Sequence, residues 1–242
     1  MNAPALNLAA ETAPALLAAL RKIDITVPHI TEGRRSQHRE RYLMARFLAT
    51  AAESQRVRYP MEVEHRDKPD FVLHLDTDRV GVECVEAVPE EWYEIEAIRE
   101  RSYPDALNWG QSFKPGEKVF TAEQKVEVAS GVRAGPPWVG SMAEAQWAEA
   151  MEHFIRIKTE KLRTGNYAEF PHMWLLVQDE WRVPMYSREQ VEEAAALCLP
   201  RIADLQVEPC FTSIFVCSRG WLLSFEVGHF TMEPIRELWR DG

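Results

Sequence analysis

Apolar residues recur along the chain at two spacings, which predict helices alternating with strands. A period of three to four residues indicates an amphipathic helix, and a short apolar run between turn-forming residues indicates a strand. The predicted helices are 15–22, 36–56, 91–101, 142–163 and 188–199. The predicted strands are 59–65, 71–75, 80–87, 173–178, 211–217 and 221–227. This order favours an α/β fold with a mixed central sheet flanked by helices.

The same pattern divides the chain into an arm and one domain. Residues 1–33 are punctuated by Pro28 and Gly33 and predict a loosely attached N-terminal arm. Residues 34–242 predict a single α/β domain. Within that domain, residues 88–142 lack a clear period and predict a long insertion before the second core helix, of the kind that serves as a lid or mobile flap.

The charge balance limits how the protein could bind nucleic acid. The chain has 38 acidic and 28 basic residues and a net charge of -10, which opposes nonspecific attraction to phosphates. A nucleic-acid surface must therefore be local. Two basic clusters at helices are candidates: Arg34, Arg35, His38, Arg39 and Arg41, and Arg156, Lys158, Lys161 and Arg163. The alternative is that these side chains form ordinary solvated helix faces.

Several other classes of protein find little support in the sequence. No run approaches the roughly 20 apolar residues that cross a bilayer, and the first 20 residues lack the basic start of a signal peptide, so we expect no membrane contact and a cytoplasmic location. The four cysteines are too far apart for a paired zinc spacing, and we interpret them as buried free thiols. No zinc-binding histidine motif, phosphate-binding glycine-rich loop or serine-hydrolase elbow is present.

Two carboxylates stand out at the base of a predicted hairpin. Asp70 follows Pro69 at the start of one strand, and Glu83 lies thirteen residues later on the next. A hairpin can bring the start of its first strand near the end of its second, so the two carboxylates are expected to be neighbours. Neighbouring carboxylates repel unless a cation or proton lies between them, and their oxygens suit Mg²⁺ or Mn²⁺.

With these residues, the chain resembles the PD-(D/E)xK phosphodiesterase superfamily, which has the restriction-endonuclease-like fold. The resemblance covers roughly residues 36–178 and lies in the order of elements and the Pro-Asp and Glu positions, not in a long identical motif. It implies a divalent metal held by Asp70, Glu83 and the backbone carbonyl of Cys84. It further implies a lysine that orients or activates the attacking water.

The sequence departs from the family pattern at the lysine, because Val85 occupies that position. Some members supply the lysine from the following helix, and Lys158 is the candidate here. It lies four residues after Phe154 and four before Leu162, so it shares their apolar stripe. An ammonium there is costly to bury unless carboxylates lie nearby, although the side chain could instead extend from the edge of the stripe into water.

Two further residues complete the predicted site. Lys161 shares much of the Lys158 face, and the run of Lys158, Lys161 and Tyr167 resembles the pattern of relatives with a relocated lysine. Glu40 precedes Leu43 by three residues on the inner face of the first long helix. The resemblance implies that this helix places an acid near the metal, so Glu40 is a fourth candidate ligand.

The sequence leaves three functional hypotheses. The first is a metal-dependent endonuclease that uses Mg²⁺ or Mn²⁺ on nucleic acid, with DNA favoured over RNA and a homodimer expected from the resemblance alone. The second is a nuclease fold whose site has decayed at Val85 and which binds protein or nucleic acid. The third is an unrelated α/β protein in which the two carboxylates pair with Arg66 or Lys68 on the surface.

Overall fold

The computed structural model describes residues 5–106, 111–165, 169–207 and 210–239. These residues form one mixed sheet of eight strands with six α-helices. The strands are β1 (Leu8–Ala10), β2 (Met61–His65), β3 (Phe71–Leu75), β4 (Asp78–Ala87), β5 (His172–Asp179), β6 (Ser213–Ser218), β7 (Trp221–Glu226) and β8 (His229–Pro234). The helices are α1 (Ala13–Leu20), α2 (Ser36–Ala51), α3 (Trp92–Ser102), α4 (Ala122–Ala129), α5 (Met142–Thr164) and α6 (Arg188–Asp204).

The strands lie in the sheet in the order of the sequence. β1 to β4 are antiparallel neighbours, β4, β5 and β6 are parallel, and β6 to β8 are again antiparallel. The two parallel connections contain helices α3 to α5 and helix α6, as parallel strands require a crossover. The α/β class with a mixed sheet is therefore as predicted.

Each face of the sheet has its own hydrophobic core. α1 and α2 pack on one face, where Val82 and Cys84 are buried. α5 and α6 pack on the other face, where Leu175 and Val177 are buried. Because side chains alternate along a strand, Glu83 on β4 points to the face that α5 covers.

The N-terminal segment belongs to this fold and is not a loosely attached arm. β1 is the edge strand of the sheet, with Leu8 paired to Val63 of β2. Leu16 and Leu20 of α1 are fully buried in the core beneath α2. The burial of these leucines explains why the segment is ordered despite its short elements.

The long insertion is also folded onto the domain. It contains α3 and a second helix, α4, which the apolar pattern did not predict. Glu91, which is fully buried, accepts hydrogen bonds from the backbone N–H groups of Val119 (2.7 Å) and Phe120 (3.0 Å), and Lys125 lies 3.7 Å away. This carboxylate fastens the segment before α4 to the start of α3.

β4 is longer than its neighbour β3, and this difference opens the sheet where the predicted site lies. β3 pairs with β4 only from Asp78 to Val82, and its first residue, Phe71, is opposite Val82. β4 continues to Ala87 along β5. The β3-facing side of residues 83–87 is therefore an open edge between α2 and α5.

Candidate metal and phosphate site

The hairpin brings Asp70 and Glu83 to the start of this open edge. Asp70 directly precedes β3, and its Oδ2 accepts a hydrogen bond of 2.6 Å from the backbone N–H of Cys84. Glu83 lies one residue earlier on β4 and is only 2% exposed. A carboxylate so deeply buried needs a charged or hydrogen-bonding partner.

Lys158 on α5 is that partner. Its Nζ donates a hydrogen bond of 2.8 Å to Glu83 Oε2 and lies 4.0 Å from Asp70 Oδ2. The lysine side chain is 13% exposed, so most of the ion pair is removed from water. The relocated lysine and both hairpin carboxylates are thus brought together. Among the residues described, neither carboxylate forms an ion pair with Arg66 or Lys68.

The electrostatics of the cluster poise Asp70 for proton exchange. Burial, and then the charge of Glu83, raise the pKa of Asp70 to about 7, although Lys158 and the Cys84 N–H oppose the increase. Burial alone would lower the pKa of Lys158, but the Glu83 and Asp70 carboxylates outweigh it and the pKa is above its usual value. Near neutral pH the lysine is therefore charged, while Asp70 exchanges a proton.

Cys84 contributes its backbone and not its thiol. Burial, with the nearby carboxylates, raises the pKa of the thiol well above its usual value, so the sulfur stays protonated. In an extended strand the N–H and C=O of one residue point to the same side. Since the Cys84 N–H reaches Asp70, its carbonyl also faces the open edge. This direction suits the predicted ligand role of the carbonyl.

Glu40 faces the same cavity but is held by a histidine that the sequence did not single out. Its Oε2 lies 3.1 Å from Nε2 of His65, whose Nδ1 accepts a hydrogen bond of 3.2 Å from the backbone N–H of Leu6. The bond from Leu6 leaves Nε2 as the protonated nitrogen, which donates to Glu40. His65 lies on the strand next to β3, and no spacing in the sequence pointed to this pairing.

Lys161 lines the cavity without contacting the carboxylates. The side chain is exposed, and the structure records no ion pair between it and any described residue. The third member of the predicted run, Tyr167, lies outside the described residues. The two lysines therefore have different environments: Lys158 is bound to Glu83, and Lys161 is an exposed charge at the cavity wall.

The donor set fits a hard divalent cation that keeps much of its water. The cavity has a volume of about 450 Å³ and is lined by Glu40, Asp70, Cys84 and Lys158 among others. The described residues contain no group of three or more histidine, cysteine, aspartate or glutamate side chains that could hold a metal. Two carboxylates and one carbonyl are few ligands, but Mg²⁺ commonly takes one or two carboxylates and fills its shell with water and substrate phosphate.

Comparisons of the chain with protein-family models, curated proteins and solved structures found no match. In the part of the chain that the structure describes, no helix is long and apolar enough to cross a membrane. The fold and the site thus define an α/β protein with one mixed open sheet and a carboxylate–lysine cluster at the open edge of β4.

Proposed function

We propose that this chain is a metal-dependent nuclease of the PD-(D/E)xK type that hydrolyses phosphodiester bonds of nucleic acid, with DNA favoured over RNA. The observation behind the proposal is the 2.8 Å ion pair between Lys158 of α5 and Glu83 of β4, with Asp70 beside it. Lys158 thereby supplies, from a helix, the positive charge that a lysine at the position of Val85 would provide. The cavity at the open edge of β4 leaves room for a phosphate beside Asp70 and Lys158.

Asp70, Glu83 and the Cys84 carbonyl would hold Mg²⁺ or Mn²⁺. Such an ion lowers the pKa of a bound water and neutralises charge on the phosphate. Asp70 accepts the Cys84 N–H, which fixes the orientation of its carboxylate toward the cavity. Glu40, held by His65, is positioned to accept a hydrogen bond from a water in the same cavity.

Lys158 acts in this scheme as a fixed positive charge. Its raised pKa keeps the ammonium protonated, so it donates hydrogen bonds and does not remove a proton from water. Charge that develops on the phosphate oxygens would be stabilised by an ammonium that is mostly buried and already oriented by Glu83. The exposed Lys161 adds a second charge to the approaching phosphate backbone.

The same ion pair supports a second candidate, a domain of this fold that binds protein or nucleic acid without cleaving it. Glu83 is already neutralised by Lys158, and a buried pair of this kind is complete by itself. The two candidates differ in whether a divalent ion binds at the carboxylates beside the lysine. Metal binding separates them.

The test is a Mn²⁺ titration of the wild type, of Asp70→Asn/Glu83→Gln and of the control Glu62→Gln, whose side chain is exposed on β2. The nuclease proposal predicts saturable binding that the double substitution abolishes and the control leaves unchanged. If the wild type and the double variant bind Mn²⁺ equally, or if neither binds it, the proposed metal site is rejected and the non-catalytic domain is favoured.

A further inference from the structure

A second cavity, of about 510 Å³, continues from the proposed cleavage site along α2 and α3. The two cavities share Arg39, Glu86, Val88, Tyr93 and Gln178 in their walls. A strand of nucleic acid that crosses the carboxylates can therefore pass directly into the second cavity. Nothing in the mechanism proposed above uses this space.

The second cavity has an excess of positive charge. Three guanidinium groups line it, those of Arg34, Arg39 and Arg182. Three carboxylates face them, but that of Glu96 is already taken by Arg99, with hydrogen bonds of 2.7 and 3.1 Å. In the described part of the chain, the recorded partners of the other two carboxylates, Glu86 and Glu180, all line the cavity, so three cations share it with two carboxylates.

Two of these arginines have hydrogen-bonding capacity that the described residues do not use. Arg39 contacts Glu86, but its buried Nε has no partner in the part of the chain that the structure describes. Arg34 donates through Nε to the carbonyl of Pro28 (2.8 Å), and no bond to its two terminal nitrogens is recorded there. Burial lowers the pKa of the Arg39 guanidinium, and the nearby charge of Arg34 lowers it further.

Two of the three guanidinium groups, those of Arg39 and Arg182, stack on aromatic rings. Arg182 lies over the ring of Trp92 at 4.2 Å, and Arg39 over the ring of Tyr93 at 4.9 Å. A guanidinium stacked on a ring keeps its N–H groups in its own plane, where they can form paired hydrogen bonds to a phosphate.

The loop that precedes α2 forms one wall of the second cavity. Residues 25–27 of this loop line the cavity, as does Glu96 of α3. Glu100 lies one turn beyond Glu96 on the same helix face. It accepts hydrogen bonds from Thr31 N (3.2 Å), Thr31 Oγ1 (3.0 Å) and Ile30 N (3.4 Å). The loop is thus fastened to α3 beside the cavity, and α3 holds this wall in place.

From the shared wall and the surplus of arginines, we propose that the second cavity binds the terminal phosphate of a nucleic-acid strand. A terminal phosphate monoester has more charge and more free oxygens than an internal diester, which suits a cavity lined by three guanidinium groups. The protein would then act at strand ends. This inference rests on the proposed function for the position of the scissile bond, but its binding test does not require cleavage.

The test measures binding of fluorescent single-stranded DNA oligonucleotides of one sequence by anisotropy, without divalent metal. The oligonucleotides have a 5′-phosphate, a 3′-phosphate or no terminal phosphate. The protein is Asp70→Asn/Glu83→Gln, alone or combined with Arg34→Gln, Arg182→Gln or the control Arg101→Gln, an exposed arginine on α3. Cleavage is absent from this background if the proposed function is correct and irrelevant if it is not.

We expect one of the two phosphorylated ends to bind roughly tenfold tighter than the unphosphorylated strand, since charge-assisted hydrogen bonds to a dianion are lost without it. Arg34→Gln should remove this preference, Arg182→Gln should reduce it, and Arg101→Gln should leave it intact. Which end is preferred fixes the polarity. Equal binding of all three oligonucleotides, or a preference that survives both cavity substitutions, would overturn the proposal.

Discussion

Asp70 should make the metal-free protein less stable as the pH rises. Its pKa is about 7 in the folded protein and near 3.8 when exposed, so the folded state binds more protons between these values and stability falls across that range. Asp70→Asn keeps an oxygen for the Cys84 N–H but has no charge. We expect it to be more stable than wild type by about 2 kcal/mol at roughly pH 8, and equal to it at roughly pH 4.

Thermal unfolding in a chelator at both pH values measures this difference. Glu62→Gln on the exposed side of β2 is the matched control and should show no pH-dependent gain. If Asp70→Asn is less stable than wild type at high pH, the charged form of Asp70 is better stabilised than its burial and the charge of Glu83 imply.

Individual side chains explain how much of the site could be predicted. Lys158 was identifiable because a charge on an apolar stripe is costly without a counter-charge, and the structure places it 2.8 Å from Glu83. His65 was not identifiable, since its link to Glu40 joins a strand to a helix 25 residues earlier and depends on the N-terminal backbone. Local patterns reveal faces of elements, but contacts between distant elements depend on the complete fold.

At the level of elements, the long periodic segments were predicted well and the edges of the sheet were not. α5 was predicted over 142–163 and spans Met142–Thr164, because a long amphipathic stripe is the strongest local signal. β1 has only three residues and β8 has no buried residue, so neither produces a clear apolar run. α6 continues to Asp204 through Pro200, where a helix end was predicted, with Cys198 and Ile202 buried on either side.

The insertion should depend on Glu91 for its attachment. Glu91→Ala removes the acceptor for two backbone N–H groups and leaves them without partners, which should cost about 3 kcal/mol. Glu90, its exposed neighbour, provides the matched control Glu90→Ala.

Denaturant unfolding gives the change in stability, and limited proteolysis locates it. We expect Glu91→Ala to be cut faster within residues 88–142 than wild type or Glu90→Ala. Unchanged cleavage and unchanged stability would mean that the segment is held by its apolar contacts alone, chiefly those of Phe113 and Trp92.

For the whole molecule, the sheet architecture places the candidate chemistry. The extension of β4 beyond β3 opens one edge, α2 and α5 border it from opposite faces, and the insertion adds the wall of a second cavity. The molecule has a net charge of -10, whereas the linings of these two cavities are balanced, with six arginines and lysines and six carboxylates. A phosphate ligand would therefore be repelled less at the cavities than elsewhere, and its binding there would rely on individual cationic side chains, which predicts salt-dependent binding.

The proposed nuclease activity can be tested by the rate of Mg²⁺-dependent cleavage of labelled linear DNA by wild type, Lys158→Met and the control Lys114→Met, an exposed lysine in the insertion. We expect cleavage by wild type and by the control, and a rate at least about 100-fold lower for Lys158→Met, because one charge-stabilising donor is lost. Wild-type protein that does not cut, or a Lys158→Met variant that cuts at the wild-type rate, would contradict this proposal.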